Sequence, residues 1–146
     1  MRGSVMKLSV IGDEVGYDIQ NQLEAIEYAG IKNIEIRKIN DVNIVECSDT
    51  TIQKVIECVK GSIINVSMIS TNIGKKSKCI DHVFRDFDRA LNLAEILKCK
   101  YIRIFSDIEK SFDANIKCIN NLINRAEKHN VLICFWGELN FSKSTH

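Results

Sequence analysis

Residues 23–37 read LEAIEYAGIKNIEIR, a stretch that contains the end of a helix, a turn and a strand. Asp18 precedes the helical pattern as a typical N-cap, and Gly30 stands where a helix places its terminal glycine. The apolar positions at helical spacing are Ile19, Leu23, Ile26 and Ala29. Alternating apolar residues then predict a strand over 31–39. The stretch therefore reads as one helix-to-strand unit.

The same unit recurs along the chain. Strands are predicted over 7–11, 31–39, 63–70, 101–106 and 131–136. Between them, helices are predicted to begin at Asp18, at Ser48 or Asp49, at Asp81 and at Asp113, which would cap the fourth helix. The resulting order β-α-β-α-β-α-β-α-β predicts parallel strands joined by right-handed crossovers.

Two α/β architectures fit this order. One is a flavodoxin-like doubly wound sheet of five strands. The other is a partial (β/α)₈ TIM barrel of about four βα units plus a fifth strand, since a full barrel needs roughly 250 residues. The 146 residues predict a single domain over 1–146, and length alone favours the doubly wound sheet.

Charge and cysteine usage exclude several classes of protein. Lys and Arg number 20 against 19 Asp and Glu, so the basic surplus of a nucleic-acid-binding domain is missing. No apolar run approaches the roughly 18 residues of a membrane span, and the first residues lack the pattern of a signal peptide. The 6 cysteines form no Cys-x-x-Cys pair. We therefore expect a cytoplasmic protein with reduced thiols and no membrane or nucleic-acid partner.

Polar residues at the predicted strand ends are the first candidates for chemistry, because ligands of parallel α/β folds bind there. Glu35 and Arg37 have the same parity and point to one face, and Arg103 lies inside an otherwise apolar strand. One interpretation is a structural ion pair between Glu35 and an arginine. The other is a polar cleft for a hydroxylated or anionic ligand. Convergence of these residues requires a curved sheet, which favours a barrel.

Two loops allow similar alternatives. Asp13 and Glu14 form either an acidic loop near the first helix or a ligand-contact corner. Residues 74–76, Gly-Lys-Lys, form either a phosphate-binding corner or a solvated loop. No G-x-G-x-x-G or Walker-type loop occurs, which argues against a nucleotide-binding Rossmann domain.

A metal site has one candidate ligand. His82, His129 and His146 are scattered, and the first two fall on or beside predicted helices. Glu138, after the fifth strand, is where a metal-ligating or proton-abstracting carboxylate is expected. Its alternative interpretation is an ordinary loop carboxylate.

Four stretches in order, residues 7–15, 23–37, 70–75 and 90–106, resemble the sugar phosphate isomerase/epimerase family, the xylose isomerase-like TIM barrels. The resemblance covers about residues 7–135. It implies the N-terminal part of a (β/α)₈ barrel. In this family the barrel isomerises or epimerises sugars or sugar phosphates, often with a divalent metal such as Mn²⁺, Mg²⁺ or Zn²⁺.

The resemblance also implies roles for individual residues. The substrate cleft would be lined by Glu35, Arg37, Ser70, Lys75, Arg103 and Ser106. Glu138 would be the metal ligand or the catalytic base, although in the family this glutamate directly follows the strand, where Trp136 stands here. Later ligands and the second glutamate have no counterpart. The alternative is a non-catalytic ligand-binding or assembly module derived from the fold.

A partial barrel also leaves its first and fifth strands as sheet edges, which are templates for association. We expect apolar interior residues, at alternate positions of 63–69 and 102–105, to face solvent in a single copy. The sequence therefore predicts a homo-oligomer, with two half-barrels completing one another in a dimer.

Overall fold

The strands and helices follow the predicted alternation, in a computed structural model that describes residues 5–75 and 79–137. The strands are β1 (Val10–Ile11), β2 (Asn33–Ile36), β3 (Lys38–Ile39), β4 (Val42–Asn43), β5 (Asn65–Ser70), β6 (Tyr101–Phe105) and β7 (Leu132–Trp136). The helices are α1 (Ile19–Tyr28), α2 (Asp49–Lys60), α3 (Ile80–Ile96) and α4 (Phe112–Lys128). Two 3₁₀ turns span Gly12–Glu14 and Ile44–Glu46. None of the described helices is long and apolar enough to cross a membrane.

The order of the strands decides between the two architectures. The main sheet is entirely parallel, with the order β1-β2-β5-β6-β7, so its strands are neighbours in the order of the chain. A flavodoxin-like sheet instead has its first two strands exchanged. The partial barrel is confirmed and the doubly wound alternative is wrong. β1 and β7 form the two edges of the described sheet.

The core lies on one face of this sheet. Right-handed crossovers in a sequential sheet place all helices on the same side. The strand residues buried there are Ile34, Ile36, Val66, Ile69, Ile102 and Ile104. They join Leu23, Ile26, Val55, Phe87, Leu91 and Leu122 of the helices in one apolar cluster.

The opposite face is more polar than the sequence predicts. Ile69, Ile102 and Ile104 are fully buried, so the expectation that apolar residues within 63–69 and 102–105 face solvent is wrong for them. Their strand parity directs them towards the helices. The open face carries Glu35, Ser70 and Arg103 instead, and its exposed apolar residues concentrate on β6 and β7. Those residues are Tyr101, Leu132 and Trp136.

The predicted strand over 31–39 is interrupted. β2 ends at Ile36, and a separate antiparallel hairpin pairs Lys38 with Asn43 and Ile39 with Val42. Its two-residue loop, Asn40–Asp41, has φ of 52° and 62°. Asn and Asp tolerate this left-handed conformation, which suits the twist of a tight hairpin. The hairpin leads the chain over the carboxyl end of the sheet.

Helix caps agree with the sequence at two sites and differ at two. The side chains of Asp18 and Ser48 accept hydrogen bonds from the backbone of Asn21 and Thr51. α4 is capped by Ser111, which accepts from Ala114, and the prediction of Asp113 is wrong by two residues. Asp113 lies in the first turn, where its charge favours the helix dipole. α3 begins at Ile80, one residue before the predicted Asp81.

Candidate active site

An ion pair occupies the centre of the open face. Arg103 Nη1 on β6 lies 3.3 Å from Glu35 Oε1 on β2, and the Ser70 hydroxyl of the intervening β5 donates a hydrogen bond to the same oxygen. The side chains of Arg103 and Glu35 are 14% and 17% exposed. A charge at this depth is costly unless it is paired. The three predicted residues therefore support one another.

Arg37 belongs to a second ionic group beside the first. Its Nε lies 3.0 Å from both Asp13 carboxylate oxygens, and its Nη2 lies 2.6 Å from Asp13 Oδ2 and 2.5 Å from Glu14 Oε1. The hydrogen bonds to Asp13 raise the pKa of Arg37 above its ordinary value, burial opposes them, and Glu14 adds to the increase. Asp13 and Glu14 thus form the acidic loop of the first interpretation and hold Arg37 in place.

The segment after β5 is fixed to β6. The backbone N–H and the hydroxyl of Thr71 donate to the Arg103 carbonyl at 3.0 and 2.8 Å, and the Phe105 N–H donates to the Ile73 carbonyl at 2.8 Å. Gly74 has φ of 81°, and a Cβ there would lie 2.2 Å from the Phe105 carbonyl oxygen. Only glycine permits this close approach. The segment leads directly to Lys75.

These elements enclose a cleft of about 580 Å³ at the carboxyl ends of the strands. Its size falls in the range of small-molecule sites, about 300–1,000 Å³. The lining residues are Ile11, Arg37, Lys38, Asp41, Asn43, Glu46, Thr71, Asn72, Lys75, Arg103, Phe105 and Trp136. The cleft therefore lies where parallel α/β folds bind their ligands.

Charge in the cleft is mixed. Arg103 and Arg37 are neutralised by Glu35 and by Asp13 and Glu14. Two lysines, Lys38 and Lys75, bring further positive charge to the lining, and Asp41 and Glu46 bring negative charge to it. Such a lining offers both hydrogen-bond donors and hydrogen-bond acceptors, and it carries both positive and negative side chains. It suits a small, strongly hydrogen-bonding ligand.

Two aromatic rings contribute apolar surface. The guanidinium carbon of Arg103 lies 5.4 Å from the centre of the Trp136 ring, and Lys75 Nζ lies 5.8 Å from the centre of the Phe105 ring. Both distances fit cation–π contacts. Phe105 and Trp136 are paired in register on β6 and β7, so their rings share one face. The Trp136 side chain is 61% exposed.

The predicted site residues divide into three groups. Arg37, Lys75 and Arg103 line the cleft. Glu35 contacts Arg103, and Ser70 donates a hydrogen bond to Glu35. Ser106 is not among the described lining residues, and its carbonyl accepts a hydrogen bond from Asn115 of α4 at 2.8 Å. Glu138 lies outside the described residues, as does Lys76 of the predicted corner.

Sequence reasoning missed part of the lining. Lys38, Asp41 and Asn43 come from the hairpin, and Glu46 follows in a 3₁₀ turn. The Asn40–Asp41 dipeptide is a hairpin signal, and it would have placed these residues above the sheet. Trp136 stands where the family resemblance places a glutamate, and its position in the sequence does not indicate its contact with Arg103.

Within residues 5–75 and 79–137, no group of three or more His, Cys, Asp or Glu side chains is placed to hold a metal ion. Asp13, Glu14 and Glu35 are engaged by arginines, and Asp41 and Glu46 are the carboxylates among the described lining residues. The described residues therefore do not provide the donor set of a divalent-metal site. The predicted metal ligand, Glu138, is not among them.

Comparison with known proteins finds likeness in fold rather than in sequence. No protein-family model matches the chain, and no curated protein matches it. A xylose isomerase-like TIM barrel protein from Mycobacterium smegmatis, in complex with magnesium, superposes with a TM-score of 0.63 at 13% identity, over 80% of this chain and 45% of that one.

Two further solved structures agree. The IOLI protein with a bound zinc atom has a TM-score of 0.67 at 18% identity, over 89% of this chain and 51% of that one. A sugar phosphate isomerase/epimerase from Parabacteroides distasonis has a TM-score of 0.57 at 15% identity, over 92% of this chain and 52% of that one. The chain thus spans about half the length of these structures. It has the fold of part of a xylose isomerase-like TIM barrel, and this fits the N-terminal part predicted from its sequence.

Proposed function

We propose that the cleft binds a small sugar or sugar phosphate and that the chain is isomerase/epimerase-like. The single observation that carries the proposal is the cleft itself, where paired arginines, lysines, amides and two aromatic rings converge in about 580 Å³. Hydroxyl groups suit the polar lining, and an aromatic ring suits the carbon face of a sugar. The structural neighbours with sugar phosphate isomerase/epimerase or xylose isomerase-like in their names support the same class.

Lys75 is the proposed contact for a phosphate group. It is exposed, it follows the Gly74 corner, and its amine faces the cleft wall at Phe105. A flexible ammonium with three donors binds phosphate oxygens without a fixed geometry. Calorimetric titration with a sugar and its phosphate ester tests this contact. Lys75→Ala is expected to weaken the ester about tenfold and the neutral sugar by less than twofold.

The proposed reaction is proton transfer next to a carbonyl. In isomerisation a carboxylate removes the proton from the hydroxyl-bearing carbon beside the carbonyl and returns it to the carbonyl carbon, while the hydroxyl proton moves to the carbonyl oxygen. In epimerisation the proton removed from that carbon is replaced on its opposite face by a second proton donor. Glu35 is engaged by Ser70 and Arg103, so Glu138 remains the proposed base. Glu138 would be the proposed ligand of a divalent metal, which would supply stabilisation of negative charge on the substrate oxygens.

Solvent exchange tests this activity across a range of substrates at once. A panel of aldose and ketose phosphates is incubated with the protein in D₂O, with and without Mn²⁺, Mg²⁺ or Zn²⁺, and deuterium incorporation is followed by NMR. We expect incorporation at one carbon beside the carbonyl and its loss in Glu138→Gln. Incorporation that Glu138→Gln leaves unchanged would exclude this base.

The second candidate is a non-catalytic binding module of the same fold. It is favoured by the absence of a metal donor set among residues 5–75 and 79–137. Titration with Mn²⁺ separates the two candidates. Tight binding that is lost in Glu138→Ala supports the enzyme, and ligand binding with neither metal binding nor exchange supports the module.

Self-association remains part of the proposal. β1 and β7 offer unpaired edges within the described sheet, and Tyr101, Leu132 and Trp136 leave apolar surface beside the second edge. Pairing of the β7 edge with the β1 edge of another copy would cover both. Light scattering at micromolar concentration is expected to give twice the chain mass. A monomer would exclude the dimer.

A further inference from the structure

Two buried polar atoms beside the cleft have no hydrogen-bond partner among the described residues. They are Arg103 Nε, a donor, and Asn72 Oδ1, an acceptor. Both residues line the cleft. A buried polar group without a partner is costly, so native structures satisfy nearly all of them with protein, water or ligand. Each of the two atoms therefore has a hydrogen bond left to make, to water or to a ligand in the cleft.

The backbone holds the two residues together. Thr71 donates twice to the Arg103 carbonyl, and Ile73 accepts from the Phe105 N–H, so Asn72 lies between two points of attachment to β6. The Asn72 carbonyl also accepts from the Lys75 N–H at 3.1 Å. The position of Asn72 relative to β6 is fixed by these bonds rather than by its own side chain. Its Oδ1 atom has no partner among the described residues.

We infer that Asn72 and Arg103 recognise a hydroxyl group of the ligand. A hydroxyl, like a water molecule that it would displace, can accept from Arg103 Nε and donate to Asn72 Oδ1. A phosphate dianion has only acceptors and satisfies one of the two atoms. The inference rests on the proposed function and sharpens it, because it makes the ligand a polyol or sugar rather than a simple anion, with Asn72 and Arg103 as specificity-determining residues.

Trp136 packs against the same guanidinium. Its exposed ring has its centre 5.4 Å from the Arg103 guanidinium carbon, and Glu35 contacts the same group through Nη1. The aromatic contact and the ion pair together hold the guanidinium beside the cleft.

Two probes of equal length and charge test the inference. Erythritol 4-phosphate and n-butyl phosphate both have four carbons and one phosphate, and they differ in their hydroxyls. We expect calorimetry of the intact protein to give about tenfold tighter binding of erythritol 4-phosphate, which corresponds to one good hydrogen-bonding site for an uncharged hydroxyl.

The variants remove one partner at a time. Asn72→Ala removes the acceptor, and Arg103→Lys keeps a cation for Glu35 but removes Nε. Each is expected to bring the ratio of the two affinities within about twofold of unity and to change the affinity for n-butyl phosphate less than threefold. Asn92→Ala, at an exposed position of α3, is the matched control and should keep the wild-type ratio.

The outcomes separate the two proposals. A wild-type protein that binds both phosphates equally, or an Asn72→Ala variant that keeps the tenfold ratio, overturns the hydroxyl site while the phosphate contact stands. A wild-type protein that binds neither phosphate, and does not bind erythritol, overturns the proposed function together with this inference.

Discussion

The side chains of Arg103 on β6 and Glu35 on β2 make contact across β5, the strand that lies between them. β5 lies between β6 and β2, yet Arg103 Nη1 lies 3.3 Å from Glu35 Oε1. The residue between them is Ser70, whose small side chain leaves room for the contact and donates to the same carboxylate. The pair therefore joins three strands on the face of the sheet that carries the cleft, and it fixes the guanidinium on which the proposed ligand contacts depend.

Removal of one member of this pair should destabilise the fold. Arg103→Met leaves a mostly buried carboxylate without its cation, and we expect a loss of about 2–3 kcal/mol in the free energy of unfolding. Glu35→Gln should cost less, because the amide oxygen of Gln still accepts a hydrogen bond from the Arg103 guanidinium, whereas Met offers Glu35 no donor.

Urea unfolding of both single variants and the double variant measures the coupling. The double variant should lose at least about 1 kcal/mol less than the sum of the single losses. Additive losses would mean that the contact contributes nothing to stability.

Gly74 and Gly30 allow a matched test of the segment that carries Lys75. Both have positive φ, 81° and 72°, but a Cβ at Gly74 would meet the Phe105 carbonyl whereas a Cβ at Gly30 meets nothing within 4 Å. Alanine at Gly30 is expected to cost about 1 kcal/mol through its conformation alone. Alanine at Gly74 adds the clash and should cost at least about 2 kcal/mol. Equal losses in thermal unfolding would contradict the close approach.

The N-cap of α4 is Ser111, whereas the sequence predicted Asp113, and one variant of each residue tests which of them caps the helix. Ser111→Ala removes the acceptor for the Ala114 N–H and should cost about 1 kcal/mol. Asp113→Ala removes a favourable charge in the first turn and should cost about 0.5 kcal/mol or less. If chemical unfolding gives the larger loss for Asp113→Ala, Asp113 is the cap after all.

Burial raises the pKa of the Cys99 thiol above its ordinary value, and it does the same for Cys47, Cys118 and Cys134. Iodoacetamide at pH 8 should therefore modify Cys79, which is exposed, well before these four. Mass spectrometry of partly alkylated protein measures the order. Modification of Cys99 as fast as Cys79 would contradict the burial.

Because the pKa values of these thiols are raised, the free energy of unfolding should fall as the pH rises above 9. The folded state holds the thiol protons more tightly than the unfolded state, so this stability is fully present below the ordinary pKa of 9.0 and is lost as the pH rises through the higher folded value. The decline above pH 9 should be shallower in Cys99→Ala than in Cys79→Ala. Equal slopes would exclude a contribution from Cys99.

The sequence was sufficient for the order of the elements because apolar periodicity and caps such as Asp18 are local signals. Strand order is not local, and it was the resemblance to known barrels that favoured the sequential sheet. The pairing of Glu35 with Arg103 was one of two interpretations, since parity places each on a face but does not measure a distance between strands.

The hairpin and its contribution to the cleft were not predicted. The alternating apolar pattern over 31–39 concealed the break after Ile36, although Asn40 and Asp41, which adopt the left-handed conformation, are residues that favour a tight turn. The sequence also did not indicate a ligand contact at Asn72. Its role depends on an amide oxygen without a partner, which is a property of the folded structure.

The central claim is that the carboxyl ends of β2, β5 and β6 bind a small phosphorylated polyol. A crystal structure of the chain with erythritol 4-phosphate tests it most directly. The account predicts the phosphate beside Lys75 and a hydroxyl within hydrogen-bond distance of Arg103 Nε and Asn72 Oδ1. A ligand bound outside the cleft, or a cleft that stays without ligand at saturating concentration, would contradict it.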